Sequence, residues 1–80
     1  MKISLSSVSI LKMDDKWRFI GLMGRVHSSL GAYSSVKEGV LMVLKGGNLK
    51  PAFREDLESL RKKGDELGWD EDELFNAFSE

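Results

Sequence analysis

Eighty residues, 41% of them apolar and 31% charged, with a net charge of −1, suit one small folded domain over 1–80 rather than a disordered chain. The chain has no cysteine, which excludes disulfides and thiolate metal sites and points to a reducing, cytoplasmic setting. No run reaches the roughly 18 apolar residues of a membrane span, and Met1-Lys2-Ile3-Ser4-Leu5 lacks the apolar core of a signal peptide, so a soluble protein with no membrane partner is expected.

In chain order, Ile3, Leu5, Val8 and Ile10 alternate loosely with serines, a period near two that suits a short strand or an extended arm over 2–11. Asp14 or Asp15 can then cap a helix. From Trp17 to Leu30, Phe19, Ile20, Leu22, Met23, Val26 and Leu30 fall on one arc at helical spacing, with Arg18, Arg25 and Ser29 opposite, so a half-buried helix is expected. Gly21, Gly24 and Ser28 would share a flank of it, open to close approach by another backbone.

Ser35 and Glu38 have capping-box spacing and open the most apolar stretch of the chain, Val36, Val40, Leu41, Met42, Val43 and Leu44. Read as a helix, it is apolar on more than one side and becomes the central element. Gly46 or Gly47 is expected to end it in the left-handed conformation, with Lys45 against the negative end of the helix dipole. Pro51 suits the first turn of a third helix, whose stripe Phe53, Leu57, Leu60, Gly64 and Leu67 ends near Leu67. Asp70 with Glu73 three residues on starts a last helix, in which Leu74, Phe75 and Phe78 share a face and Trp69 staples onto Leu74. The expected fold is mainly α, a compact bundle of about four helices with a short extended N-terminal arm. The alternative is a small α+β fold with strands near 2–11 and 39–45.

Charge is unevenly spread. Residues 1–64 hold all twelve cations against six acids, and 65–80 hold seven acids and no cation. The acidic, aromatic C-terminal helix therefore supplies the candidate partner-binding residues Trp69, Asp70, Glu71, Asp72, Glu73, Phe75 and Phe78, facing a protein with a basic surface. The alternative is a helix-turn-helix-like nucleic-acid binder over 36–63. There the recognition end carries Glu55, Asp56 and Glu58 beside Arg54, and the better basic stripe is Lys16, Arg18 and Arg25.

Catalysis by an activated nucleophile needs a base beside it, and the chain has one histidine, His27, and no cysteine. No calcium-loop spacing or phosphate-binding loop occurs. No catalytic residue, cofactor or metal is expected. The sequence reads as a small non-enzymatic interaction protein, a regulator, inhibitor or immunity-type protein.

Overall fold

A computed structural model describes residues 1–78. Four strands, β1 (Lys2–Ser4), β2 (Val8–Met13), β3 (Lys16–Met23) and β4 (Val26–Tyr33), form an antiparallel sheet in the order β1-β2-β3-β4. Three helices follow, α1 (Val36–Lys45), α2 (Pro51–Glu66) and α3 (Glu71–Phe78). The fold is α+β, and the mainly α bundle is overturned. The alternative had the class but misplaced a strand, since 39–45 lies within α1 and the 2–11 segment is two strands, β1 and β2, joined by a turn.

The error lies in Trp17–Leu30, which is a β-hairpin and not a helix. Asp14-Asp15 and Gly24-Arg25 are the two-residue loops of successive hairpins, with φ of 56° at Asp14 and 59° at Gly24. Left-handed residues in such loops match the twist of the flanking strands, so neither aspartate caps a helix. Trp17, Phe19 and Gly21 alternate inward along β3, whereas Ile20 and Leu22 point to the opposite face. Opposite Phe19 and Ile20, β4 carries one extra residue: Phe19 pairs with Gly31 and Ile20 with Ser29, leaving Leu30 as a bulge.

All three helices cover one face of the sheet. Ile3, Val8, Ile10, Trp17 and Phe19 meet Val36, Val40 and Val43 of α1, Phe53, Leu57 and Leu60 of α2, and Leu74 of α3 in a single core. Each large side chain buried there stabilises the fold by about 1.5–3 kcal/mol over leaving it in water. Two glycines let the layers approach. Phe53 packs on Gly21, and the rings of Phe19 and Tyr33, edge-to-face at 5.5 Å, lie against Gly39 of α1. The β1–β2 loop is fixed to α2 through Ser7, whose N–H and hydroxyl both donate to Asp56 Oδ2, at 2.6 and 2.7 Å.

The helix boundaries follow local chemistry. Ser35 Oγ accepts from the Glu38 N–H and starts α1, while the Glu38 carboxylate accepts from the N–H and hydroxyl of Ser34. The expected left-handed glycine after α1 is absent: Gly46 is extended, with φ −65° and ψ 139°, and Gly47 also lacks a positive φ. The helix end is served instead by Arg54, whose guanidinium donates to the carbonyls of Leu44 and Gly46 at 3.4 and 3.3 Å. The left-handed stop belongs to α2, where Gly68 and Trp69 have φ of 65° and 60°. The Trp69 N–H there donates to the Gly64 carbonyl at 2.8 Å, the six-to-one bond of a Schellman end.

A basic, apolar sheet face as the candidate functional site

With every helix on one side, the other face of the sheet has no cover among the described residues. Antiparallel register builds that face in rows. Lys2, Leu11, Arg18 and Ala32 form one row, Ser4, Ser9, Ile20 and Ser29 the next, and Leu22 with His27 lies beyond. Met13 and Lys16 close the opposite end. Leu11, Ile20 and Leu22 are half-buried by their neighbours, Ser9 is 6% exposed, and Lys2, Lys16, Arg18 and His27 stand in water. No carboxylate projects from these strands; the nearest acids in sequence are Asp14 and Asp15 in the hairpin loop. Three fixed cations therefore surround an apolar centre with nothing of opposite sign among them in the described residues of these strands.

Of the basic residues expected to act together, Lys16 and Arg18 do share this face, but Arg25 sits in the β3–β4 loop at the far end of β3. On a helix the two arginines would lie two turns apart on one side; on a strand they are separated along nearly its whole length. Lys2, Leu11, Ile20 and Leu22 were missed as site residues. Their signal was the period-two alternation of β1, β2 and β3, which places them on the face opposite Ile3, Ile10 and Phe19.

The C-terminal candidates are brought together differently from a ridge. Leu74 is fully buried, and Trp69, Phe75 and Phe78 are half-buried against the core, so the aromatic side of α3 faces inward. The Trp69 ring covers Gly64, and its Nε1 donates to Asp65 Oδ1 at 3.0 Å. Asp70 Oδ1 caps α3 by accepting from the Glu73 N–H at 3.0 Å. Glu71 Oε2 accepts from the Val36 N–H at 3.0 Å and so serves the positive end of α1. Asp72 and Glu73 are exposed on the outer side. Glu71→Ala is therefore expected to destabilise by about 1 kcal/mol, through a lost N-terminal acceptor. Asp72→Ala should fall within about 0.5 kcal/mol of wild type. Equal melting shifts for the two, read by circular dichroism, would contradict the contact to α1.

His27, the lone imidazole, is exposed on the open face of the sheet, opposite Leu22. Among the described residues no three His, Asp or Glu side chains are grouped to hold a metal ion, and no helix is long and apolar enough to cross a membrane. Comparison with family models, with curated proteins and with solved structures returns no match.

Proposed function

We propose that this chain is a non-enzymatic interaction protein, of the regulator, inhibitor or immunity type, that binds a protein partner across the open face of its sheet. The supporting observation is the apolar centre of Leu11, Ile20 and Leu22 set among Lys2, Lys16 and Arg18, with no carboxylate projecting from that face of the strands among the described residues. Covering half-exposed apolar groups returns about 25 cal/mol for each Å² removed from water. Unopposed cations add attraction for acidic groups and speed encounter. The partner surface that fits is apolar with acidic groups around it.

The acidic corner at Asp72 and Glu73 gives the molecule its opposite pole and would orient a partner that also carries basic groups. It offers no apolar anchor of its own, because Trp69, Leu74, Phe75 and Phe78 are engaged with the core. A nucleic-acid reading draws on the same Lys16 and Arg18. Single-stranded nucleic acid favours aromatic platforms, and the aromatic residues of the sheet, Trp17, Phe19 and Tyr33, all lie on the helix side.

The test is capture of partners from the native host by wild-type protein and by the Lys2→Glu, Arg18→Glu double variant, alongside a gel shift on mixed DNA and RNA at low salt. A protein retained by the wild type and bound at least about tenfold more weakly by the double variant, with melting unchanged, is the expected result. Retention unaffected by the double variant removes the sheet face as the binding surface. A salt-steep gel shift lost in the double variant would hand the face to nucleic acid.

A further inference from the structure

We infer that two copies of this chain pair antiparallel along their β4 edges, joining two four-stranded sheets into one of eight strands about a two-fold axis. The inference rests on the edge of the sheet and not on its open face.

The two edges are treated very differently. β1 is three residues long, carries Lys2 and has α3 packed against it, and shortness, lysine and a covering element are all devices that keep an edge from pairing. β4 is eight residues long, Val-His-Ser-Ser-Leu-Gly-Ala-Tyr, with no Lys, Arg, Asp, Glu or Pro. Apart from the Leu30 carbonyl, which accepts from the Tyr33 hydroxyl at 2.9 Å, its backbone finds partners only in β3 among the described residues. At about 3.4 Å per residue the strand runs roughly 27 Å, against a longest molecular extent of 28 Å. Pairing it therefore engages one whole side of the molecule.

Its one irregularity selects the partner. The Leu30 bulge shifts Val26–Ser29 out of phase with Gly31–Tyr33 by one residue. An antiparallel neighbour keeps its side chains on matching faces on both sides of the bulge only if it carries the same phase shift at the same place. A second copy does: Val26 then meets Tyr33, His27 meets Ala32 and Ser28 meets Gly31, with the two bulges at the axis. A strand without Lys, Arg, Asp or Glu also meets its own copy without repulsion between fixed charges. The ends are complementary, since Arg25 precedes β4 and Glu38 is held at Ser34, the residue that follows it.

The exposed apolar groups beside the edge fit the same arrangement. Val26 is 64% exposed on the helix side of β4 and Met42 is 52% exposed on α1. A depression lies between the β4 edge and the end of α1, lined by Leu30, Tyr33, Met42, Val43 and Leu49. In the pairing above, Val26 of each copy sits opposite Tyr33 of the other, at the mouth of that depression.

Sedimentation equilibrium on the purified chain between about 1 µM and 1 mM, where modest interfaces dissociate, is expected to show twice the 9.0 kDa chain mass at the upper concentrations. Ser29→Lys, which sets like charges on either side of the axis at an exposed position, should weaken dimerisation at least about tenfold with melting of the fold unchanged. Because the chain has no cysteine, His27→Cys and Ala32→Cys chains can be mixed. The mixture should cross-link under mild oxidation far more than either variant alone. A wild type that stays monomeric throughout the range overturns the inference, including the case in which the edge instead takes a strand from another protein. So does a dimer indifferent to Ser29→Lys, or cross-linking no greater in the mixture than in the single variants.

Discussion

Phe19→Ala is expected to cost about 3–5 kcal/mol, out of the roughly 4–12 kcal/mol available to a domain of this size, and Ile20→Ala beside it under about 1.5 kcal/mol. Phe19 is fully buried on the helix side of β3, flanked by Ile10 in the next strand and the Tyr33 ring. Its removal opens a cavity under α1 that the helix cannot close without leaving Trp17 and Tyr33. Ile20 is half-buried on the other face, where neighbouring side chains and water fill the gap. On a helix the two residues would share one apolar arc and cost similar amounts, so urea denaturation of the pair separates the two folds. Similar losses of stability in both variants would argue against the sheet.

Gly39→Ala should destabilise by about 2 kcal/mol, although alanine is favoured over glycine in a helix by about 1 kcal/mol. The added Cβ would clash with Cε1 and Cζ of the Phe19 ring and lie 3.0 Å from Tyr33 Cδ2. The Phe19 ring is fully buried against the sheet and cannot easily move aside, and overpacking of that kind costs about 1–3 kcal/mol or more before the propensity gain is counted. Gly47→Ala is the control: its Cβ meets nothing within 4 Å and its φ is not positive, so stability should hold or rise by up to about 1 kcal/mol. Combining Gly39→Ala with Phe19→Leu should cost less than the two single losses added together, because the smaller side chain vacates the space the new methyl needs. Thermal melts of the four proteins decide the matter, and a stabilised Gly39→Ala would mean that α1 stands off from the sheet.

The helical half of the chain was legible because its signals are local. Ser35 with Glu38, Pro51, Gly68 and Asp70 with Glu73 each mark a helix end by satisfying or omitting particular backbone groups, and each does so in the structure. The sheet half was not, and the reason is specific. Its outer face is itself partly apolar, so Ile20 and Leu22 beside Phe19 and Met23 gave runs that imitate a helical arc, while Gly21 removed the inward apolar residue that would have shown the alternation. The loops Asp14-Asp15 and Gly24-Arg25 were the evidence against a helix, and reading the aspartates as a cap concealed it.

The site was legible to the same degree. Lys16 and Arg18 stood out as basic, yet their neighbours Lys2 and Leu11 reach them only across strands. Whether Trp69, Phe75 and Phe78 face the core or the solvent depends on where α2 leaves the chain. That is set by two left-handed residues, Gly68, which the sequence marks as a stop, and Trp69, for which it gives little warning.

Of the described elements β1 is the first and α3 the last, and they lie against one another with Ile3 and Leu74 in the same core. The hairpins β2–β3 and β3–β4 can close within a few residues of their own loops, so during synthesis the sheet is free to assemble early. Its first strand must then wait until residues 71–78 have been made before α3 can pack against it. Until α3 arrives the β1 border keeps only its shortness and Lys2 as protection while β4 stays open, which makes the unfinished chain, and any version cut short before residue 71, the species most prone to stick to its own kind.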